Sequence, residues 1–479
     1  MSAREYDVIV IGAGPVGENV ADGAVKGGLS VAIVESELVG GECSYWACMP
    51  TKALLRDVAA LRAVQHLPAA AAAVTGTLDP AAVLARRDRF ASNWDDAGQV
   101  SWLESAGIDL VRGHGRISGP RAVSVTAADG TTQELSARQA VVVATGTSAA
   151  VPPIPGLADA RPWTSREAVA ADHFPDRLAI IGGGVVGTEM ATAYSALGST
   201  VTFIARDGVL PNVEPYASEL VIASLEAAGV RVMIGASPEQ VSRDADGAVH
   251  TTLADGETIV TDEVLVATGR KPNTADLGLE LVDLAPGTWL TVDETLRVLD
   301  SDGNLVGDGW LYAAGDVNHR VLLTHQGKYQ ARAVGEVIVA RATGAAVDDA
   351  PWGRHVATAD HSAVPQVVFS SPEIVSVGHT VASAAAAGIA ARAVEYDLGA
   401  VAGAALHADG YQGRASLLIN DATNTVVGFT AVGPDTTELV HAATIAIAGE
   451  VPIDRLWHAV PAYPTISEVW LRLLETAGR

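Results

Sequence analysis

Cysteine is almost missing from this chain: two residues in 479, at positions 43 and 48. That excludes a fold stapled by disulfides, and the close spacing makes a redox pair or a metal site the first reading. No further Cys or His cluster lies nearby to complete a metal site, so redox leads and no metal is expected. Basic residues are also short, with 31 Lys and Arg against 56 Asp and Glu, for a net charge of −25. Such a surface repels a phosphate backbone, which argues against nucleic acid as a partner. No apolar run approaches the ~18 residues of a spanning helix. The first one, Val8 to Ile11, is too short for a signal-peptide core and follows acidic residues. A cytoplasmic protein with no membrane partner is therefore expected.

What is present is aliphatic. Apolar residues make up 49% of the chain, yet only five are Phe. The length suits about three globular domains of ~150 residues each.

Two segments share one pattern. The first runs from Tyr6 through Val8-Ile-Val-Ile11 to Gly12-Ala-Gly14-Pro-Val-Gly17, then a helical stretch, then Ser30 to Glu35. The second runs from Arg177 through Leu178-Ala-Ile-Ile181 to Gly182-Gly-Gly184-Val-Val-Gly187, then a helical stretch, then Thr200 to Ala205. Each reads as strand, glycine turn, helix, strand, the unit that binds a dinucleotide. One glycine makes the turn, one lets backbone approach the pyrophosphate, and one lets helix meet strand. The helix N-terminus faces the phosphates. One match is a weak signal; two, each in the right context, are strong.

A second echo follows each unit: Val141-Val-Val-Ala-Thr145-Gly146 and Val264-Leu-Val-Ala-Thr268-Gly269. Both read as a buried strand ending in a glycine turn. Trp310-Leu-Tyr-Ala-Ala-Gly315-Asp316 is a third such phrase. Ala-rich 56–74 and 81–104 read as helices of the first domain, and Pro152 to Gly156 as a linker. From about Ala346 the texture becomes alternating strands, with helices near 434–450 and 465–477. The expected fold is α/β, with two Rossmann-like dinucleotide-binding domains and a C-terminal α+β domain.

The duplication offers an internal comparison. Glu35 and Ala205 stand at the same offset from their first glycines, Gly12 and Gly182. An acid there accepts from a free ribose 2′-hydroxyl, so Glu35 suits FAD or NAD. Ala205 removes the repulsion against a 2′-phosphate, and Arg206 offers a forked donor to it. NADPH is expected over NADH, although no second basic residue follows before Asn212.

The cysteines lie in Gly40-Gly41-Glu-Cys43-Ser-Tyr-Trp-Ala-Cys48-Met-Pro50-Thr-Lys52. Pro50 suits the first turn of a helix, which places Cys48 at its start. The positive end of the helix favours a thiolate there. Cys43 lies on the loop side, able to meet a substrate disulfide.

At this point the chain resembles the pyridine-nucleotide-disulfide oxidoreductase family, which includes dihydrolipoamide dehydrogenase, glutathione reductase and mercuric reductase. Its pattern Gly-Gly-x-Cys-x4-Cys-x-Pro-[Ser/Thr]-Lys stands here as Gly40 to Lys52, and the likeness runs from residue 5 to about 470. The resemblance implies that Cys43 is the interchange thiol and Cys48 the charge-transfer thiol. It pairs Lys52 with Glu189 near flavin N5. It puts Gly41, Thr145, Gly146 and Asp316 against FAD, with Asp316 on the ribityl chain and Thr324 and His325 by the pyrimidine edge. Gly184, Gly187 and Gly269 join Gly182 and Arg206 at NADPH. It also implies a homodimer in which Tyr463 to Glu468 serve the other subunit. The implied divisions are 1–150 and 272–345 for FAD, 151–271 for NAD(P)H, and 346–479 for the dimer interface.

The chain departs from the family in two places. Where the family has His-Pro-Thr, this chain has Tyr463-Pro-Thr465, with Glu468 kept in register. A phenol is a poor base at pH 7, so disulfide reduction loses acid–base help typically worth ~10²–10⁴-fold. His458 is a weaker substitute. Mercuric reductases also have Tyr there, and share the Ala-Arg pair at 205–206. They carry a vicinal Cys pair near the C-terminus, whereas this chain ends Leu473 to Arg479 without Cys, which argues against mercuric ion. The second departure is Tyr45-Trp46 between the cysteines, either loop packing or an aromatic wall at the disulfide site.

The expected activity passes electrons from NADPH through FAD and Cys43–Cys48 to a small disulfide or similar acceptor. The alternatives are an NAD(P)H quinone or dye reductase working directly from flavin, and a non-catalytic redox sensor. The cysteine pair argues against a transhydrogenase.

Overall fold

Three apolar runs in the first part of the chain, Val8–Ile11, Val31–Val34 and Ala140–Val143, are buried along their whole length. Strands covered on both faces read this way, without alternation, and pair in parallel. The structure, a computed structural model describing residues 4–479, forms them into one sheet. Contacts divide the chain into two units, each assembled from separate stretches.

The first unit holds residues up to Pro50, Asp88–Ser148 and Arg270–Asp360. Its sheet runs Asp109–Arg112, Val31–Glu35, Arg4–Ile11, Thr132–Val143, Ala122–Thr126, His114–Gly119. Leu311–Ala313 adds in parallel to Thr132–Val143. Arg4–Ile11 pairs in parallel with both neighbours, Val8 facing Val31 on one side and Ala140 on the other. The helix Pro15–Lys26 starts with Pro in its first turn and ends on a basic residue, as helix ends favour. It lies against the helix Thr324–Thr343, where Gly23 and Gly335 meet so closely that a Cβ on Gly335 would sit 3.3 Å from Gly23 Cα.

The second unit holds Thr51–Arg87, Ala149–Gly269 and His361–Arg479. It repeats the motif in a parallel sheet ordered Arg231–Ile234, Thr200–Ala205, Arg177–Ile181, Glu263–Val266. A five-stranded antiparallel sheet follows, ordered Pro365–Val368, Glu373–Gly378, Val426–Gly433, Arg414–Asn420, Ala391–Asp397. The helices Leu439–Ala448 and Val469–Thr476 belong to it, with Trp470 stacked on Phe429 at 5.1 Å.

The fold is thus α/β with two dinucleotide-type sheets, the first mixed and the second parallel, and an α+β C-terminal region. Three local expectations change. The helix from Cys48 stops at Gln65, because the residue before Pro68 is disfavoured in a helix. The stretch 81–104 breaks at Ser92–Trp94, where three consecutive residues take positive φ. The helices of 51–87 also group with the second unit rather than with the first sheet. Leu54, Val58 and Val83 share a cluster with Leu197, and Arg87 donates to the carbonyls of Val169 and Ala171. Among the described residues no helix is long and apolar enough to cross a membrane.

Candidate active site

The two glycine turns have one geometry. Gly12 has φ +102°, and a Cβ there would lie 2.5 Å from the Ala144 carbonyl oxygen. Gly182 has φ +118°, and its Cβ would lie 2.3 Å from the Ala267 carbonyl oxygen. Both positions therefore exclude any side chain. The third glycines are as tight: a Cβ on Gly17 would approach the Gly12 carbonyl oxygen to 1.9 Å, and one on Gly187 the Gly182 carbonyl oxygen to 2.1 Å. Gly14 and Gly184 cap the two helices without any side-chain hydrogen bond, leaving their first amides open to an anion.

Beside the first turn, Glu35 accepts from the amides of Ala13 and Glu37, both at 2.8 Å. A groove of about 570 Å³ opens there, lined by Glu35, Leu38, Asp96, Arg112 and Asp129. Gly41 closes on Gly14, so that a Cβ on Gly41 would lie 2.8 Å from Gly14 Cα. The Thr145 hydroxyl is buried without a hydrogen-bond partner, and Gly146 follows at φ +65°. A groove beside a held carboxylate, two abutting glycine backbones and an orphaned hydroxyl fit the adenine dinucleotide expected here.

Asp316 accepts from the Thr147 hydroxyl at 2.7 Å. Burial pushes its carboxyl up, while Thr147 and the Arg270 charge hold it down. Arg270 in turn donates to Thr147 Oγ1 at 2.8 Å and to Glu42 at 3.0 Å. Gln330 fixes the preceding turn, accepting from the Gly315 amide and the Asn318 amide group, each at 2.8 Å. Sequence reasoning missed Thr147, Arg270, Glu42 and Gln330. They lie far apart in the chain and match no short motif.

Cys43 and Cys48 stand as thiols, both partly buried. Cys48 opens the helix Cys48–Gln65, and its sulfur lies 3.4 Å from Thr324 Oγ1. The hydrogen bond to Cys48 pushes the Cys43 thiol up, with burial and the charge on Cys48 adding to it. Thr324 and the Lys328 charge pull it down. Cys43 thus holds its proton firmly, while Cys48 stands at the helix end that favours a thiolate. His325 is exposed.

Lys52 and Glu189 come together as an ion pair of 2.7 Å. Glu189 is only 3% exposed, and its other oxygen accepts from the Phe369 amide at 3.0 Å. Lys52 Nζ also lies 4.9 Å from the Phe369 ring centre. At the second turn, Ala205 is buried and Arg206 is exposed. Arg206 holds the carboxylate of Asp207 at 2.8 Å. Gly269 ends its strand phrase at φ +140°.

At the C-terminal site the chain does not bring Tyr463 and Glu468 together. Tyr463 is 75% exposed, while Glu468 is buried. One Glu468 oxygen accepts from Arg472 at 2.5 Å; the other is buried with no hydrogen-bond partner. His458 is exposed. Tyr45 corrects the aromatic-wall reading, because it is fully buried and its hydroxyl donates to the Val39 carbonyl at 2.9 Å. Trp46 alone is partly exposed, tilted against Tyr45 at 5.6 Å.

Comparison with known proteins agrees with this geometry. Residues 6–344 match the pyridine nucleotide-disulphide oxidoreductase family, and residues 364–473 match its dimerisation domain. The chain is 32% identical to a mercuric reductase from Shigella flexneri, over 98% of this chain and 80% of that one. It is 31% identical to a dihydrolipoyl dehydrogenase from Chlorobaculum tepidum, over 97% and 96%. The crystal structure of LpdA from Mycobacterium tuberculosis superposes with a TM-score of 0.82 at 26% identity, covering 99% of both chains.

Proposed function

Because this chain belongs to the pyridine nucleotide-disulphide oxidoreductase family, whose members work with FAD and NAD(P)H, we propose that it reduces a small disulfide with electrons from NADPH, delivered through Cys43 and Cys48. The observation that carries this reading is the thiol pair itself, with Cys48 opening a helix and its sulfur 3.4 Å from Thr324 Oγ1.

When bound, FAD supplies the two-electron relay between pyridine nucleotide and sulfur. The chain's own residues do the rest. The Gly12–Gly17 turn, Gly41 and Glu35 bind its adenosine diphosphate half. Thr145, Gly146 and Asp316 orient the remainder, with Thr324 and His325 at the helix start beyond it. Lys52, held by Glu189, supplies a fixed positive charge. The Gly182–Gly187 turn and Gly269 bind the pyridine nucleotide. We assign 1–150 and 272–345 to FAD, 151–271 to NADPH and 346–479 to the contact between two subunits.

At the acceptor, Cys43 gives up its proton and its sulfur attacks the disulfide, releasing one thiolate, which takes that proton. Cys48 then attacks Cys43, forming their disulfide and releasing the second thiolate. Two electrons pass from the pair to the acceptor, and one proton moves. With no imidazole at position 463, the proton has no dedicated carrier there. Tyr463 of the partner subunit serves as a hydrogen-bond donor at the mouth of the site, which rests on a homodimer. A cytoplasmic setting suits a pair that must return to the dithiol state.

The absent imidazole favours one other reading, a quinone or dye reductase that bypasses the sulfurs. An anaerobic panel decides: lipoamide, glutathione disulfide, an aromatic disulfide and two quinones, for wild type and Cys43→Ser. Loss of disulfide reduction in the variant, with quinone reduction spared, supports the proposal. Equal disulfide rates in both proteins overturn it.

A further inference from the structure

The strand ends of the two glycine-turn motifs follow one register. The Gly12 amide donates to the Val34 carbonyl and the Gly182 amide to the Ile204 carbonyl, each at 2.9 Å, and Val34 and Ile204 stand at the same offset from their glycines. Just beyond Val34, Ser36 and Glu37 line the groove beside the first turn. The corresponding positions beyond Ile204 are Arg206 and Asp207. Backbone contacts tie this segment to its own turn. A Cβ on Gly183 would lie 3.0 Å from Ala205 Cβ and 2.1 Å from the Gly208 carbonyl oxygen, and the Leu210 amide donates to the Gly183 carbonyl at 2.7 Å. Arg206 and Asp207 therefore stand on a short turn held against the glycine backbone.

Their side chains hold each other. Arg206 Nε donates to both carboxylate oxygens of Asp207 at 3.1 Å, and Nη2 donates to Oδ2 at 2.8 Å. The guanidinium keeps the Asp207 carboxyl below its ordinary range, so the acid is charged at neutral pH. Both side chains are exposed, and an exposed pair of this kind shifts an equilibrium by up to roughly fivefold. Arg206 is the one basic residue between Thr200 and Asn212. A 2′-phosphate that takes it must displace Asp207 and then sit beside the displaced carboxylate. A free 2′-hydroxyl makes neither demand.

Resting on the NADPH reading above, we propose that Asp207 is a specificity-determining residue whose carboxylate competes with the coenzyme's 2′-phosphate for Arg206 and so narrows the preference for NADPH over NADH. Carboxylate and phosphate are alike to a guanidinium, each offering oxygens to a fork of N–H donors. The Nε and Nη2 donors that Asp207 occupies are lost to the phosphate for as long as the pair is closed. NADH binds without opening the pair, so Asp207 acts on one coenzyme and not on the other.

Calorimetric titration of the FAD-loaded protein with NADP+ and with NAD+ tests this. The oxidised coenzymes differ only in the 2′-phosphate, and no turnover intervenes. Asp207→Asn keeps the size and removes the charge. It is expected to bind NADP+ roughly fivefold tighter than wild type and NAD+ equally well. Asp207→Glu keeps a carboxylate beside Arg206 and is expected to match wild type with both. Retained NAD+ affinity verifies that each variant folds. Arg206→Ala separates the inference from its premise: if it binds NADP+ as wild type does, the NADPH reading falls and the proposal with it. If Arg206→Ala weakens NADP+ but Asp207→Asn leaves it unchanged, or tightens both coenzymes equally, the NADPH reading stands and the proposal is overturned.

Discussion

Replacing Lys52 by Met tests the buried ion pair directly. Glu189 is 3% exposed and Lys52 is 35% exposed, so the two partners pay very differently for separation. Lys52→Met leaves a carboxylate in the interior with only the Phe369 amide as partner. Stranding a buried charge costs ~3–5 kcal/mol, and the partial exposure of this pair puts the effect near the lower end, about 3 kcal/mol. At roughly 2–4 °C per kcal/mol, the melting temperature of the second unit should fall by roughly 6–12 °C. Glu189→Gln is the contrast. Its amide oxygen still accepts from Phe369, and Lys52 turns to water, so the loss should be about 1 kcal/mol. The double variant should recover most of the difference, because it contains no stranded charge. Calorimetry of the three variants at pH 7.5 reads these values. If Lys52→Met melts no lower than Glu189→Gln, the pair is not a buried charge pair in solution and the reasoning fails.

Three further outcomes follow from the same geometry. Arg206→Ala should lower kcat/KM for NADPH by roughly tenfold while sparing NADH, since Arg206 exchanges Asp207 for a 2′-phosphate; equal wild-type values for both nucleotides refute this. Tyr463→His should raise disulfide reduction by ~10²-fold by supplying the acid–base group that a phenol lacks at neutral pH; rates equal to wild type refute this. Glu18→Gln should stabilise the protein at pH 8 by about 1–3 kcal/mol and change nothing at pH 4. The sign follows from a folded value of about 7 above an unfolded value of 4.5, so wild type loses stability as pH rises through that window. Denaturation midpoints that stay parallel across pH count against it.

Much of this site is legible in the chain because its parts are local. The glycine turns, the strand phrases ending at Thr145 and Thr268, and the cysteine segment each need only neighbouring residues to specify their shape. The net around Asp316 is different. Thr147, Arg270 and Glu42 meet only after three distant segments fold, and no spacing announces them. Arg206 is legible as a cation, but nothing in the sequence announces its ion pair with Asp207. Tyr45 reads equally as loop packing or as part of an aromatic wall, and only the folded loop decides, turning its ring into the core. The helix breaks at Pro68 and Ser92–Trp94 escaped an Ala-rich texture that suits helices throughout.

The exposure of Tyr463 has a consequence for descent. Its phenol is turned to solvent, while Glu468 lies buried and braced by Arg472. Tyrosine and histidine codons differ by a single base. A lineage carrying this protein therefore stands one mutation from an imidazole at that position.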